Sequence, residues 1–305
     1  MNILLTGSSG FVGSHFSSDT SIKRIVVREN DNCDHWECEQ YTISALNGQT
    51  DWSGAFSDIG AIIHLAALAH SRTFTSDDYQ QVNVDGALHL AREAALAGVK
   101  RFVFVSSIGV HGPNTFKEPF TPTSPLVPDN DYTRSKLSAE QGLKTIAKET
   151  GLEVVIVRPT LVYGADAPGN FGLLSKLIAR VPFLPFGSIK NKRDFISAQN
   201  LADLLLRCAT HSNASGHVFL ASEGQTVSVG EFTNQIARGL NRKIIQFPVP
   251  AGLFRLAGRL TGKTQLVEQL VGNLHVDNSN LKQQLNWIPP YSMEEVMSQL
   301  NKGRK

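Results

Sequence analysis

The sequence predicts a doubly wound α/β fold, a parallel sheet with helices on both faces, together with a smaller and mostly helical lobe. Over the first two thirds of the chain, short apolar runs alternate with stretches of helical periodicity, which is typical of such a sheet. Several of these runs are apolar throughout, as in strands that are buried on both faces. After Gly164 the alternation weakens and helical patterns dominate, which indicates the second lobe.

The predicted elements are short and have defined ends. The strands are Asn2–Thr6, Arg24–Arg28, Gln40–Ile43, Ala61–Leu65, Arg101–Ser106, Glu153–Arg158 and His217–Ala221. The helical patterns Asp78–Ala97 and Tyr132–Thr150 stop at Gly98 and Gly151, because glycine readily adopts the conformation that ends a helix. Shorter helical patterns follow at Leu173–Arg180, Leu201–Thr210, Val229–Leu240, Gly252–Leu260, Leu281–Leu285 and Met293–Asn301.

Composition and charge exclude several classes of protein. With 29 Lys and Arg against 27 Asp and Glu, the net charge of +2 does not predict nucleic-acid binding through bulk charge. No apolar run approaches the roughly 18 residues that cross a bilayer, and the first residues lack the features of a secretion signal. The cysteines Cys33, Cys38 and Cys208 are sparse and their spacing fits no zinc pattern. We therefore expect a cytoplasmic protein without a metal site.

A glycine turn follows the first predicted strand. In the segment Gly7-Ser8-Ser9-Gly10-Phe11-Val12-Gly13, the first glycine permits a tight turn and the second lets the backbone approach a pyrophosphate. The third glycine allows the helix expected after the turn to pack on the strand. Free N–H groups at the start of such a helix attract phosphate, so the turn predicts a dinucleotide site.

The turn and the order of the elements suggest how the chain divides. We assign residues 1–164 and 196–221 to a dinucleotide-binding domain that receives its last strand late. Residues 165–195 and 222–305 would form a substrate-binding lobe in two segments.

The residue at the end of the second strand bears on the choice of cofactor. NAD sites usually carry an acidic residue there, which binds the ribose, whereas a nearby arginine favours the phosphate of NADP. Here the position is Arg28, followed by Glu29. This leans towards NADP and leaves NAD open.

A serine hydroxyl at the end of a strand, the phenol of Tyr132 and the ammonium of Lys136 form a candidate catalytic group. Ser106 and Ser107 end a strand at the carboxyl edge of the sheet, where such folds bind ligands. Tyr132 and Lys136 are four residues apart at the start of a helix and therefore share one face. A phenol can exchange the proton of an alcohol, an ammonium can lower the pKa of the phenol, and a hydroxyl can orient the substrate oxygen. A shift of about three pKa units from a cation about 4 Å away requires a partly dried cleft.

Taken together, these residues resemble the extended short-chain dehydrogenase/reductase family, in its nucleotide-sugar epimerase/dehydratase branch. The resemblance spans nearly the whole chain. Besides the glycine turn it includes Ile63-His64-Leu65-Ala66-Ala67, Asn83-Val84-Asp85-Gly86, Val105-Ser106-Ser107, Tyr132-Thr133-Arg134-Ser135-Lys136, Arg158-Pro159-Thr160-Leu161-Val162-Tyr163-Gly164, Arg193-Asp194-Phe195-Ile196 and Leu285-Asn286-Trp287. The family has a Rossmann-type fold, which agrees with the predicted sheet.

The resemblance implies roles for the matching residues. Ser107 would be the catalytic hydroxyl and Tyr132 the acid–base, and Lys136 would also bind the nicotinamide ribose. Asn170 and Arg193 match positions that hold the diphosphate of a nucleotide sugar, for which we expect a UDP-linked sugar. A guanidinium is well suited to phosphate. The dinucleotide would be lined by Gly7, Gly10, Phe11, Val12, Gly13, Leu65, Ala66, Ala67, Val82, Ser106 and Pro159.

The chain departs from the family pattern at several positions. His111 stands where a tyrosine is frequent, and a second diphosphate-binding arginine has no clear counterpart near Gly272–Val276. The dehydratase reaction needs an Asp–Glu pair directly after the catalytic hydroxyl, and Ile108-Gly109 cannot supply it. Of the reactions of this branch, epimerisation and simple reduction therefore remain possible.

Three functions follow from this reading. The leading one is a UDP-glucose 4-epimerase-like enzyme that transfers hydride at carbon 4 of a UDP-hexose, with NAD or NADP as cofactor. The alternative is a 4-keto nucleotide-sugar reductase, which the arginine at the second strand slightly favours. A non-enzymatic dinucleotide sensor on the same fold is the remote alternative. The presence of Ser107, Tyr132 and Lys136 argues against it, because a sensor does not need residues that transfer a proton. Assembly as a homodimer is left open.

One segment of the second lobe is both basic and apolar. Within Gly252–Leu266, the cations Arg255, Arg259 and Lys263 recur every four residues beside leucines. A basic amphipathic helix can rest on a membrane surface. We expect instead that this helix covers the substrate lobe and does not contact a membrane.

Overall fold

The computed structural model describes residues 1–31, 33, 35–69 and 73–304, without the side chains of Gln265 and residues 302–304. Among these residues, no helix combines the length and the hydropathy that crossing a bilayer requires.

The described part of the chain alternates strands and helices over most of its length. The strands are β1 (Ile3–Thr6), β2 (Ile22–Arg28), β3 (Glu39–Ile43), β4 (Ala61–His64), β5 (Arg101–Val105), β6 (Glu153–Pro159), β7 (Leu161–Tyr163), β8 (Phe183–Leu184), β9 (Phe195–Ser197), β10 (Val218–Ala221) and β11 (Ile245–Gln246). The α-helices are α1 (Ser76–Tyr79), α2 (Ala87–Leu96), α3 (Asp131–Thr150), α4 (Gly169–Arg180), α5 (Ala198–Thr210), α6 (Val229–Gly239), α7 (Ala251–Leu260), α8 (Thr264–Val271), α9 (Ser279–Leu285) and α10 (Met293–Ser298).

Seven strands form one parallel sheet in the order β3-β2-β1-β4-β5-β6-β10. Side chains alternate between two core clusters, one on each face of the sheet. Ile3 and Leu5 face one cluster while Leu4 faces the other, and all three are fully buried. This burial on both faces is why the strands are continuous apolar runs. The predicted parallel sheet is therefore confirmed, and each of its predicted strands lies within two residues of an observed one.

Helices cover both faces of the sheet, as the fold class predicts. α2 and α3 pack on one face, and α5 and α9 pack on the other. α3 begins with a capping box in which Asn130 and Thr133 each accept from the other's backbone N–H. It ends at Gly151, whose positive φ of 77° ends the helix as the sequence predicted.

The connection between β1 and β2 differs from the prediction. The expected helix after the glycine turn is a single 3₁₀ turn, Gly13–Phe16. Only residues 7–21 join the two strands, and their second half is rich in turn-forming residues. Asp19 accepts hydrogen bonds from the backbone N–H and the hydroxyl of Ser21, which ends the helical stretch.

The second part of the structure has its own core. Aromatic side chains dominate it: Phe195 stacks on Phe232 with ring centroids 3.8 Å apart, and Phe171 and Phe186 join the same cluster. The small sheets β7–β9 and β8–β11 border it. Sequence analysis missed them, because strands of two or three residues are too short to show periodicity. The predicted division into domain and lobe stays a prediction.

The basic segment of this part is two helices, which corrects the prediction of one. α7 ends at Leu260 and α8 begins at Thr264, with a turn at Gly262, whose φ is 67°. Arg255 of α7 is paired with Glu268 of α8 at 2.7 Å. α7 packs on the core through Phe254, and its opposite face is exposed.

The glycine turn permits a stability test at Gly13. A Cβ atom there would lie 2.1 Å from the carbonyl oxygen of Gly7, a contact that only a backbone shift can relieve. Gly13→Ala should therefore lower the free energy of unfolding by about 1–3 kcal/mol, measured by urea denaturation.

Gly252→Ala is the matched control, because a Cβ atom there meets nothing within 4 Å and the residue lies in α7. We expect it to be neutral or to stabilise by up to about 1 kcal/mol. Equal effects of the two substitutions would contradict the steric account.

Candidate active site

The candidate site lies at the carboxyl edge of the parallel sheet, where β1, β4, β5 and β6 all end. The loops after these strands carry the glycine turn, the segment Leu65–Ala67, Ser107 and the residues after Pro159. Parallel strands bring these loops together whatever their distance in sequence. An edge of this kind is the usual ligand site of open α/β sheets.

The glycine turn forms a backbone-lined cradle. Gly7 has a φ of 76°, and a Cβ atom there would lie 2.8 Å from the backbone nitrogen of Ala66. The Gly10 N–H donates to the Gly7 carbonyl at 3.0 Å, which closes the turn. Side chains at these glycines would fill the space that the turn leaves, so the cradle fits a ligand that approaches the backbone closely, such as a pyrophosphate.

Thr6 and His64 connect this cradle to the catalytic residues. The Thr6 hydroxyl accepts from the Ala66 N–H at 3.2 Å and lies 2.8 Å from Nδ1 of His64. Burial, reinforced by the positive charge of Lys136, lowers the pKa of His64 to about 3, so its imidazole is neutral at physiological pH.

The three predicted catalytic residues come together at the end of β5. Nζ of Lys136 donates to the carbonyl of Val105 at 2.9 Å, two residues before Ser107. The same nitrogen lies 6.0 Å from the ring centroid of Tyr132 and 4.8 Å from that of Phe104. The Ser107 hydroxyl accepts from the Gly109 N–H at 3.1 Å and so caps the short helix Ile108–His111.

The electrostatics of this group differ from the expectation. Burial raises the pKa of Tyr132 to about 12, and the nearby Tyr79 adds to the rise. Burial also lowers the pKa of Lys136 to about 7, which the carboxylate of Glu140 partly opposes. The pairing of the two residues therefore does not by itself lower the pKa of the phenol, because burial disfavours the phenolate and raises that pKa although Lys136 lies nearby.

A buried ion pair lies beneath the catalytic residues. Nη2 of Arg158 on β6 is 2.5 Å from Oε2 of Glu140 on α3, and both side chains are only 1% exposed. The Ser106 hydroxyl donates to the same carboxylate at 2.5 Å, so this residue, predicted to line the dinucleotide, is buried in the network. Sequence analysis missed Glu140, although it lies four residues after Lys136 on the same face of the helix.

His111 completes this network. Its Nε2 is 2.8 Å from Nη1 of Arg158, and its Nδ1 is 3.1 Å from the carbonyl of Pro125. Arginine can only donate, so Nε2 accepts and Nδ1 carries the proton. The histidine that replaces the frequent tyrosine thus holds the buried guanidinium, and its ring stacks on Phe120 with centroids 5.0 Å apart.

Asn83 fixes the position of the loop after β4. Its side-chain oxygen accepts from the Leu68 N–H at 2.8 Å, and its nitrogen donates to the Leu68 carbonyl and to the Ser135 hydroxyl. Asn83 belongs to the π-helical stretch Gln80–Gly86 between α1 and α2. One side chain therefore ties the loop beside the glycine turn to the start of α3.

The other residues predicted to line a dinucleotide surround the same edge. Val12 and Leu65 pack against one core cluster of the sheet, and Ala66 and Val82 pack against the other. Phe11 packs against the core of the second part of the structure. Ala67 lies in the loop after β4, next to Ala66, and Pro159 is the last residue of β6.

Arg28 is engaged by an acid that sequence analysis missed. Its guanidinium nitrogens lie 3.1 and 3.4 Å from the two carboxylate oxygens of Asp31, which also accepts from the Arg28 backbone N–H. Although burial raises the pKa of Asp31, hydrogen bonds from Arg28 and from Ser9 hold it below its ordinary value. Asp31 is thus an ionised carboxylate beside the glycine turn, and Arg28 is not a free cation.

The two predicted diphosphate ligands have different surroundings. Arg193 is buried and donates to the carbonyl of Gly272 at 3.1 Å, and burial lowers its pKa to about 10. Asn170 is exposed in the first turn of α4. Their predicted contact with a diphosphate stays a prediction.

The two residues after Ser107, where the dehydratase reaction would need an Asp–Glu pair, have no room for it. Ile108 is buried, and a Cβ atom at Gly109 would lie 2.7 Å from Cγ2 of Thr133. A glutamate at this position would need the start of α3 to shift.

Comparison with known proteins identifies the family of this chain. Residues 3–227 match the profile of the NAD dependent epimerase/dehydratase family. A Vibrio cholerae protein named UDP-glucose 4-epimerase is 38% identical over 98% of this chain and 94% of its own length. The structure of UDP-glucose 4-epimerase from Thermotoga maritima with UDP-glucose has a TM-score of 0.76 and 23% identity, covering 99% of this chain and 98% of its own. That of UDP-glucuronic acid 4-epimerase from Bacillus cereus with NAD also has a TM-score of 0.76, with 18% identity and complete coverage of both chains.

The buried ion pair can be tested by removing one charge. Glu140→Gln leaves the Arg158 guanidinium buried without its counter-charge, so we expect a loss of about 3–5 kcal/mol in the free energy of unfolding. Glu149→Gln is the control, because its ion pair with Arg92 is exposed and should contribute less than about 1 kcal/mol. Chemical denaturation followed by circular dichroism measures both, and a loss of similar size in the two variants would refute the role of the buried pair.

Proposed function

The chain belongs to the NAD-dependent epimerase/dehydratase family, and from this premise we propose that it is an epimerase that inverts carbon 4 of a UDP-linked hexose. The observation that carries the proposal is the 38% identity, over nearly the full length of both chains, to the protein named UDP-glucose 4-epimerase. The convergence of Ser107, Tyr132 and Lys136 at the sheet edge supports it.

Each catalytic side chain has a task in this reaction. Tyr132 takes the proton of the carbon-4 hydroxyl and later returns it to the same oxygen, once the sugar has turned the other face of carbon 4 towards the cofactor site. Ser107 holds the same oxygen by a hydrogen bond, and Lys136 provides a positive charge at the sheet edge. NAD, when bound, supplies the acceptor for the hydride of carbon 4 and, in its oxidised form, a positive charge that favours the phenolate.

The cleft prepares the phenol to work as an acid as well as a base. Since burial raises the pKa of Tyr132, the free phenol is protonated at neutral pH. Since burial also lowers the pKa of Lys136 to about 7, a small change in its surroundings alters the charge of this lysine. Positive charge that enters the cleft would lower the pKa of Tyr132 and so favour loss of its proton.

Asp31 supports NAD as the cofactor. Its carboxylate lies beside the glycine turn, and it neutralises the arginine that would otherwise attract the phosphate of NADP. A carboxylate here can accept hydrogen bonds from ribose hydroxyls. This weakens the case for the 4-keto reductase, whose slight support was a free Arg28. Assembly as a homodimer stays a prediction.

The decisive experiment uses the purified protein without added cofactor. We expect it to interconvert UDP-glucose and UDP-galactose, and to release NAD on denaturation. Protein that shows no interconversion but oxidises added NADPH with a 4-keto nucleotide sugar would overturn the proposal in favour of the reductase.

Replacement of the proton-carrying phenol tests the mechanism. Tyr132→Phe should lower kcat by about 10²–10⁴-fold, the usual contribution of general acid–base catalysis, with little change in KM. Tyr79→Phe is the control, because this neighbouring ring, 6.3 Å from that of Tyr132 between centroids, has no part in the proton transfer. Unchanged kcat in the Tyr132 variant, or equal losses in both, would refute this assignment.

The cofactor assignment can be tested at the end of β2. Asp31→Asn keeps the size of the side chain but removes its charge, and we expect NAD to bind roughly tenfold more weakly or worse. Arg28→Gln should change NAD affinity little. Isothermal titration with NAD and NADP measures both, and a wild-type preference for NADP that Arg28→Gln abolishes would reverse the assignment.

A further inference from the structure

Among the large apolar side chains that are exposed on the second part of the structure, six lie on or next to β8, β11 and α7, and we refer to these six as the apolar patch. Each is between 47% and 80% exposed. They are Phe183, Ile245, Phe247, Leu253, Leu256 and Leu260. Isolated apolar residues are common on protein surfaces, but a contiguous group of this kind marks an interaction site.

Half of the apolar patch lies on the β8–β11 pair. Phe183 and Ile245 are register partners, so their side chains are neighbours on one face of this small sheet. Phe247 lies two residues after Ile245, and its ring centroid is 5.5 Å from that of Phe183. Leu184 points to the opposite face and is buried in the core. The exposed apolar face therefore belongs to a regular, hydrogen-bonded pair of strands.

The other half lies on α7, which has two apolar faces. Phe254 packs on the core and Gly258 packs against α8. Leu253, Leu256 and Leu260 are spaced by three and four residues and form a second stripe, which is exposed. A helix that needs only to cover a core has one such stripe.

The chain links the two halves directly. β11 leads into α7 through Pro248–Pro250, where the Val249 N–H donates to the Phe247 carbonyl and the Leu253 N–H donates to the Pro250 carbonyl. Phe247 is therefore only four residues from the start of α7, and these two hydrogen bonds fix the turn between them.

The two segments that carry the apolar patch contain basic residues and no acidic ones. Residues 167–193 contain five lysines and arginines, residues 232–267 contain six, and neither segment contains an Asp or Glu. The chain as a whole is nearly balanced, with 29 cations against 27 anions. Arg255 is neutralised by Glu268 of the next helix, whereas Arg242, Lys243, Arg259 and Lys263 are exposed.

Contrary to the expectation from the sequence, we propose that the apolar patch docks on an anionic membrane surface, with the leucine stripe of α7 in the interfacial layer and the exposed cations of the same segments at the lipid headgroups. Apolar side chains beside exposed Lys and Arg are the features of surface-bound helices. A bilayer with anionic lipids complements both properties at once. A second copy of the chain would bring like charges together, which disfavours self-association through this face.

Flotation of the purified full chain with lipid vesicles tests the proposal. We expect binding to vesicles of phosphatidylglycerol and phosphatidylcholine, little binding to phosphatidylcholine alone, and weaker binding at high salt. The double substitution Leu253→Gln and Leu260→Gln should lower the partition coefficient at least tenfold. The matched control, Leu96→Gln with Ile288→Gln, changes two leucine-like residues of similar exposure outside the patch and should bind like the wild type.

Charge and folding are checked in parallel. Arg259→Gln and Lys263→Gln should each weaken vesicle binding roughly fivefold. Circular dichroism melting and turnover of a soluble nucleotide sugar should be the same in the patch variants and the wild type, so that a failure of the proposed activity does not bear on docking. Wild-type protein that does not float with anionic vesicles, or equal losses in the patch and control variants, would overturn the proposal. The proposal would also be overturned if the wild type were a dimer and the patch substitutions converted it to monomers without changing vesicle binding.

Discussion

Helix α3 is held against the sheet by the buried ion pair between Glu140 and Arg158, and the candidate site depends on that placement. The pair joins α3 to β6, and its remaining hydrogen-bonding capacity is taken up by Ser106 of the loop after β5 and by His111. A buried pair of this kind is costly to form but far more costly to break. It therefore specifies one position of α3 relative to the strand ends. Tyr132, which lies two turns earlier on the same helix, is placed by the same contacts.

Burial also sets the chemistry of the residues above this pair. The removal of water raises the pKa of Tyr132, lowers that of Lys136 and keeps the imidazole of His64 neutral. These shifts have one cause, the loss of hydration of the charged form of each group. The protonation of Tyr132 and Lys136 is thus sensitive to any charge that enters the cleft. An enzyme that alternates between removing and returning a proton needs such responsiveness.

The second part of the structure divides its apolar surface between two uses. One face of α7 and the buried side of β8 close an aromatic core around Phe186 and Phe232. The opposite faces of the same elements present large apolar side chains to solvent, within segments that carry only positive charge. The core by itself explains the first face and gives no reason for the second. A docking role for the outer face accounts for both the exposure and the charge.

The strands and the glycine turn could be predicted from the sequence, because each depends on a local pattern. The spacing of Tyr132 and Lys136 could also be seen there, whereas Ser107 was chosen over Ser106 through the family resemblance, and the catalytic roles stay predictions. Apolar runs specify strands buried on both faces, and at the glycines of positions 7 and 13 a Cβ atom would lie within 3 Å of backbone atoms. The pairing of Arg28 with Asp31, the network around Glu140 and the break between α7 and α8 were decided by the tertiary structure. They depend on which side chains meet in space and on how much water is excluded where they meet. The pKa of Tyr132 shows the difference most clearly: its spacing from Lys136 is written in the sequence, but the burial that outweighs the lysine exists only in the fold.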